Sequence, residues 1–322
     1  YCIRRVYIKS SDRICRHENR RSCRNLTSDK HFLNITARKS AYRCICVRSY
    51  NLKAIYYLFR KVFGFLSVKE NAFAVNGQNY QSWADAVAAV NAANGGTIEL
   101  NDDVELSSVS TMPSVPCTIR SAGETKYRLS GSPMTMNADL TLSNISYALG
   151  NLYANGHNLT ISNDVETAWS WTGYSLYAGS TVDSTAADTQ YISVQAGDFA
   201  VIASGRGSTM HKANVDVSVG GSAEVELAGA YMSATLDGNV TFHVADGVKL
   251  NQFLGEQSGD SITGNLTLQI NGTPTLKSYN PTYKASVNKD SFGTLDLTYA
   301  DANFITANRD KFTGFATVKP TA

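Results

Sequence analysis

Short segments in which apolar and polar residues alternate recur along the chain from residue 97 onward. Such alternation turns successive side chains to opposite faces, so each segment predicts a β-strand. The first apolar residues of successive segments lie 19 to 33 positions apart. A recurrence of this kind is typical of repeat architectures, in which each turn of chain adds one matching strand. The segments are 98–100, 119–121, 140–142, 159–161, 192–194, 215–217, 240–244, 266–270 and 295–297.

Three of these strands begin with closely similar phrases, in which Asn158, Asn239 or Asn265 directly precedes the first apolar residue. Asparagines at one position of successive turns can form hydrogen bonds along a stack. This recurrence favours a parallel β-solenoid with its apolar residues inside. An antiparallel β-sandwich is the competing interpretation, because residues 245–247 and 271–273 could form hairpin turns.

A short helix is predicted just before the first strand. Ser82 and Asp85 form a capping box, apolar residues recur at positions 83, 86, 87, 90 and 93, and Asn94-Gly95-Gly96 supplies a left-handed stop. Because a helix of this length is marginal alone, its apolar stripe must lie against another apolar surface. We expect it to cap the first turn of the solenoid.

The stretch 80–100 resembles the capping helix and first strand of right-handed parallel β-helix proteins. In particular, it is similar to pectate-lyase-like and adhesin-like surface proteins of bacteria, and the resemblance covers residues 76 to 318. It implies a secreted or cell-surface protein whose partner is a polysaccharide or a host-surface glycan. The expected fold class is therefore all-β, a right-handed parallel β-helix with an N-terminal capping α-helix.

The composition changes sharply near residue 70. Residues 1–70 hold 17 Lys and Arg against 4 Asp and Glu, whereas the other 252 residues hold 12 against 23. The organisation expected is a poorly structured basic leader (1–74), the capping helix (75–96) and a solenoid of about nine coils (97–322). An apolar run at 62–68 followed by Ala72-Phe73-Ala74 resembles the end of a signal peptide cut after Ala74.

Several classes of function are disfavoured. No apolar run reaches the length of a membrane-spanning helix, so no integral membrane span is expected. The basic leader contains Cys44-x-Cys46 but no C-x-x-C pair, and its histidines lack zinc-finger spacing, which disfavours metal and nucleic-acid binding. We therefore assign no metal, no cofactor and no nucleic-acid partner.

The predicted outward positions of the strands provide little sign of catalysis. Reading one residue after the first apolar position of each strand gives scattered acids, and His157, His211 and His243 have no acidic partner at a fixed spacing. We assign no catalytic residue. A polysaccharide lyase or glycoside hydrolase remains the alternative to a binding protein, because β-helix enzymes of both kinds use acidic side chains brought together from neighbouring coils. An inert structural stalk is the second alternative.

The longest interval, 33 residues, contains a group of aromatic residues. Extra residues in one turn of a solenoid usually form a loop, often on the binding face. Aromatic rings with polar edges stack well on sugar rings, so this loop predicts carbohydrate binding. The proposed residues are Trp169, Trp171, Tyr174 and Tyr177.

Overall fold

The computed structural model describes residues 2–8, 13–14, 24–25, 31–37, 71–168 and 174–320. The chain divides into two compact units, residues 1–68 and 69–322. In the first unit, the described strands form two antiparallel pairs. These pairs are Cys2–Ile8 with His31–Ala37 and Arg13–Ile14 with Arg24–Asn25.

The second unit is a parallel β-solenoid of about nine turns. Its longest sheet, sheet 1, has twelve strands, and from Gly96–Leu100 onward every neighbouring pair is parallel. The solenoid prediction is confirmed, and the antiparallel sandwich is wrong. In chain order the strands of sheet 1 are Phe73–Val75, Gln78–Tyr80, Gly96–Leu100, Cys117–Ser121, Leu140–Ser143, Leu159–Ile161, Gln190–Val194, Val215–Val219, Val240–Val244, Leu266–Gly272, Thr294–Ala300 and Thr317–Lys319.

Three further sheets complete the walls of the solenoid, and all their strand pairs are parallel. Sheet 2 comprises Met134–Thr135, Leu152–Tyr153, Ser175–Tyr177, Asp198–Ile202, Glu224–Ala230, Lys249–Glu256, Thr275–Leu276 and Tyr283–Lys284. Sheet 3 comprises Val104–Leu106, Arg128–Gly131, Ser146–Leu149 and Glu166–Thr167. Sheet 4 comprises Ser184–Thr185, Met210–Lys212, Thr235–Asp237 and Ser261–Ile262.

The cross-section of the solenoid changes in the turn that holds the 33-residue interval. The turns between residues 117 and 158 pass through sheets 1, 3 and 2, whereas those between 190 and 262 pass through sheets 1, 2 and 4. The turn from Leu159 to Thr189 contributes to all four, because Glu166–Thr167 ends sheet 3 and Ser184–Thr185 begins sheet 4. Part of the extra length therefore builds a new wall.

Aligned apolar side chains fill the interior along sheet 1. The parallel register places one inward residue of each turn directly on that of the next, and each member of this column is at most 2% exposed. Burial of one such side chain contributes about 1.5–3 kcal/mol relative to leaving it in water. The column consists of Ile98, Ile119, Leu142, Ile161, Val194, Val219, Val244 and Ile270.

Helix α1 (Trp83–Ala92) covers the first turn, as predicted. The Ser82 hydroxyl accepts a hydrogen bond from the Asp85 backbone N–H at 3.1 Å and donates to the Asp85 carboxylate at 2.6 Å. The Trp83 ring packs edge-on against Phe73 with 5.8 Å between centroids. Asn94 ends the helix with a φ of 56°. Near the other end of the chain lie helix α2 (Ala302–Asn308) and a 3₁₀ turn (Arg309–Lys311).

The start of the solenoid includes Ala72 and the strand Phe73–Val75, which are buried and pair with Gly96–Leu100. A cut after Ala74 would divide this strand, and such processing stays a prediction. Of the described residues, none belongs to a helix that is long and apolar enough to span a bilayer.

The predicted asparagine stack is confirmed at the amino ends of the sheet 1 strands. The Asn214 side-chain oxygen accepts hydrogen bonds from the Asn239 backbone N–H at 3.0 Å and from its side-chain amide at 2.9 Å. The Asn239 oxygen accepts in turn from the Asn265 backbone N–H at 2.8 Å. At the equivalent position nearer the start of the solenoid, the Asp139 carboxylate accepts a hydrogen bond from the backbone N–H of Asn158, one turn further on, at 2.8 Å.

The Asn239→Ala variant tests the energetic contribution of this stack. It removes the two hydrogen bonds between turns that the Asn239 side chain makes, so the free energy of unfolding should fall by about 1–2 kcal/mol, measured by urea denaturation. Thr241→Ala, two residues along the same strand, is the control and should stay within about 0.5 kcal/mol of the parent protein. Equal losses in the two variants would show that the stack adds nothing.

Candidate functional site

The structure places the four sequence-predicted site residues differently. Trp169 and Trp171 lie outside the described residues. Tyr174 is 8% exposed and packs edge-on against Tyr147 at 5.3 Å. Tyr177 is 2% exposed and stacks on Tyr153 at 5.0 Å, and burial raises the pKa of Tyr177. Both described rings therefore pack within the protein, and their role in carbohydrate binding stays a prediction.

The strand after the long interval begins earlier than the sequence pattern indicates. It starts at Gln190 rather than at Ile192, and Gln190 is buried although it is polar. The parallel register therefore aligns Tyr191 with Asp216, and Ser193 with Ser218. Matching the first apolar residues of the segments 192–194 and 215–217 predicts instead that Ser193 lies beside Asp216. That prediction is wrong by two residues, because the buried Gln190 interrupts the apolar alternation.

An exposed aromatic ring and a hydrogen-bonded acid–histidine pair come together on this outer face of sheet 1. Tyr191 is 56% exposed, and Asp216 is its partner on the next strand. His243 Nε2 donates a hydrogen bond to the Asp216 carboxylate, with 3.2 Å between the two atoms. Ser218 is the register partner of His243. The expectation that His243 has no acidic partner at a fixed spacing therefore missed this pair, because the His243 side chain reaches diagonally to Asp216, two residues before its register partner Ser218.

A groove of about 430 Å³ opens beside this group. It lies at the amino ends of the three strands that carry Tyr191, Asp216 and His243, and its lining is mainly polar. Gly238 is required here, because a Cβ at this position would lie 1.9 Å from the Ala213 carbonyl oxygen. The lining residues are Ala186, Ala187, Asp188, Thr189, Ala213, Asn214, Asp237 and Gly238.

The groove and the neighbouring side chains suit a ligand rich in hydroxyl groups. Carboxylates, an amide and a threonine hydroxyl provide hydrogen-bonding groups at the groove, and the exposed ring of Tyr191 offers a flat apolar surface with a polar edge. Within the described part of the chain, no three His, Cys, Asp or Glu side chains are grouped to hold a metal ion. We refer to Tyr191, Asp216, His243 and the groove as the sheet 1 site.

A second polar surface lies on the outside of sheet 2. Asp198 and Glu224 are register partners on neighbouring turns. Glu224 accepts hydrogen bonds from Asn251 at 3.1 Å and from Lys249 at 3.3 Å, and these lower its pKa. The pKa of Asp198 is raised, first by burial and then by the nearby charges of Glu224 and Glu226. Two adjacent carboxyl groups thus have pKa values displaced in opposite directions.

This surface adjoins the ends of the aromatic segment. The Asp198 backbone N–H donates to the Thr167 hydroxyl at 3.1 Å, and the Ala200 backbone N–H donates to the Tyr174 carbonyl at 2.8 Å. Thr167 and Tyr174, which flank residues 169–173 in the sequence, therefore both contact the strand Asp198–Ile202. The sequence pattern singles out this part of the chain but does not show that the strand Asp198–Ile202 carries one of two neighbouring carboxyl groups.

The fold and these two surfaces define the class of the protein as a parallel β-solenoid with polar outer faces. No protein-family model, curated protein or solved structure matches the chain.

Selective nitration tests the exposure of the sheet 1 site. Tyr191 should be modified by tetranitromethane at mildly alkaline pH, as should the exposed Tyr299, because their phenol groups reach solvent. Tyr153 and Tyr177 should be spared, since both are buried. Peptide mass spectrometry locates the nitro groups, and nitration of Tyr177 ahead of Tyr191 would contradict this description of the surface.

Proposed function

We propose that this protein is a secreted or cell-surface β-solenoid that binds carbohydrate, in adhesion to a polysaccharide or a host-surface glycan, without catalysing a reaction. The observation that carries the proposal is the exposed Tyr191 ring next to the Asp216–His243 pair at a polar groove. The resemblance of residues 80–100 to pectate-lyase-like and adhesin-like bacterial proteins supports the same class.

Charge narrows the proposed ligand to a neutral glycan. Asp188 and Asp237 line the groove, and Asp216 lies on the adjoining face. His243 is the basic partner of Asp216, and its charge depends on protonation. Carboxylates near one another repel an anionic ligand, whereas they accept hydrogen bonds from sugar hydroxyls. A uronic-acid polymer is therefore a poorer candidate than a neutral one.

The ring of Tyr191 should act as the anchor of the complex. Truncation of an aromatic anchor typically costs about 2 kcal/mol or more of binding free energy, so Tyr191→Ala should weaken binding by at least about tenfold. A glycan-array screen of the full chain would identify the ligand, and titration calorimetry would give the affinities. Tyr299→Ala, which removes another exposed tyrosine, is the matched control and should bind like the parent protein.

Trp171→Ala in the same assay separates the two candidate surfaces. If the aromatic segment that contains Trp169 and Trp171 binds the carbohydrate, this change should abolish binding. If Trp171→Ala removes binding and Tyr191→Ala does not, the aromatic segment carries the binding and the sheet 1 site is wrong. Absence of any hit on the array would contradict the binding proposal and leave a structural stalk as the leading account.

A glycoside hydrolase is the second candidate, and the Asp198–Glu224 pair favours it. An acid whose pKa is raised beside a carboxylate whose pKa is lowered is the arrangement that glycosidases use for proton donation and for attack or base catalysis. The two side chains come from neighbouring turns of sheet 2.

Release of reducing sugar from the glycans that bind would reveal this activity. In that case Asp198→Asn and Glu224→Gln should each lower the rate by at least about a hundredfold, because each removes a group that handles a proton or attacks the sugar. Asp183→Asn, an exposed acid on another wall, should leave the rate unchanged. Binding without product would exclude the hydrolase.

A further inference from the structure

One wall of the groove consists of residues 186–189, and a buried histidine forms hydrogen bonds to residues at both ends of it. His211, in the strand Met210–Lys212, is 0% exposed. Its Nδ1 lies 2.9 Å from the Ser184 hydroxyl, and its Nε2 lies 2.8 Å from the Gln190 side-chain oxygen. Ser184 and Gln190 bracket residues 186–189, which line the groove, and Tyr191 follows Gln190 directly. One imidazole thus connects both ends of the wall.

The hydrogen-bond partners determine which imidazole nitrogen carries the proton. The Gln190 amide nitrogen donates to the His157 carbonyl at 2.7 Å and to the Ala178 carbonyl at 2.9 Å. Its side-chain oxygen must therefore be the atom that faces His211, and it accepts from Nε2–H. Nδ1 is then unprotonated and accepts from the Ser184 hydroxyl. Every bond in this network is satisfied by a neutral imidazole.

Protonation would place a charge where nothing described neutralises it. The charged residues on or directly before the packed strands are Asp183, Lys212 and Asp237, and all three have some solvent exposure. The Asp183 carboxylate accepts from the Met210 backbone N–H, and that of Asp237 accepts from the Thr263 hydroxyl. In the described structure, neither acid hydrogen-bonds to the imidazole. Burial lowers the pKa of His211 to about 4, and a hydrogen bond to the backbone of Ser184, which favours the charged form, opposes this shift only in part.

The direction of the pH effect follows from linkage. With the wall released, His211 would titrate near its ordinary value of about 6.5, and with the wall in place it titrates near 4. Between these two values the released form binds more protons. The stability of the wall relative to its released form is therefore greatest above about pH 6.5 and decreases as the pH falls towards 4.

We propose that His211 is a positioning residue that holds the groove wall and Tyr191 in place, and that acidification releases this wall and with it the bound glycan. The proposal rests on carbohydrate binding at the sheet 1 site, and it adds pH control to that site. Because the two imidazole nitrogens bond to Ser184 and Gln190, His211 acts on the wall through these two residues.

Affinity measured against pH tests this proposal on the full chain with the strongest glycan from the array. The parent protein should bind equally from pH 8 to pH 6.5 and about tenfold more weakly at pH 4.5. His211→Gln cannot become charged yet retains an amide donor for Gln190, so its profile should be flat. If the loss persists in His211→Gln but disappears in His243→Gln, then His243 is the titrating group and the proposal is wrong.

Hydrogen exchange supplies a measurement that needs no ligand. After correction for intrinsic rates, the amides of residues 184–191 should lose protection at pH 4.5 in the parent protein and keep it in His211→Gln. Equal protection of the parent protein at pH 7 and pH 4.5 would overturn the proposal. If no glycan binds at any pH, the proposed function fails, while the exchange result still decides whether His211 holds the wall.

A second variant covers the case in which His211→Gln does not fold. Ser184→Ala removes one end of the bracket without adding a charge, and it should lower protection of residues 184–191 at pH 7. Thr185→Ala, its exposed neighbour, is the matched control and should not change protection. Unchanged protection in Ser184→Ala would show that the hydrogen bond between Ser184 and His211 does not hold the wall in place.

Discussion

The parallel register between successive turns is the constraint on which the rest of the structure depends. Backbone hydrogen bonds hold strands of neighbouring turns about 4.8 Å apart, so each inward side chain lies directly on its equivalent one turn away. A misalignment by one residue would turn every apolar side chain of that strand outward. Two features enforce this alignment. In the interior it is the apolar column from Ile98 to Ile270, and at the amino ends of the strands it is the hydrogen-bonded stack of Asn214, Asn239 and Asn265.

The same constraint builds the surfaces to which we assign function. A solenoid brings residues about 25 positions apart into contact, so a site on its face is assembled from several turns. Tyr191, Asp216 and His243 come from three successive strands of sheet 1. Asp198 and Glu224 meet in the same way on sheet 2. Each polar residue can therefore look isolated in the sequence and still have a partner in the structure.

The turn that changes the cross-section carries the buried polar network next to the groove. Sheet 4 begins there, and Gln190, Ser184 and His211 fill the interior where an apolar column would otherwise continue. Buried polar groups are costly unless each is hydrogen-bonded. Here the side-chain nitrogen and oxygen of Gln190 and both ring nitrogens of His211 form hydrogen bonds. A network of this kind specifies one geometry more tightly than apolar packing does, which suits the wall of a binding groove.

Local patterns in the sequence determined the fold class, helix α1 and the recurring asparagine. Each depends on near neighbours in the chain: alternation of period two, a capping box, or a residue that starts a strand. The tertiary structure alone decided the pairing across turns. Gln190 is buried although polar, so the pattern missed the start of its strand and the place of Tyr191 beside Asp216. The Asp216–His243 contact was missed for another reason, because it runs diagonally between residues that are not register partners. Tyr174 and Tyr177 lie in an aromatic-rich stretch, and only the packing of neighbouring turns showed that their rings are covered. The physical reason is that burial and cross-turn contacts depend on register, which sums over many residues and is not visible in any one segment.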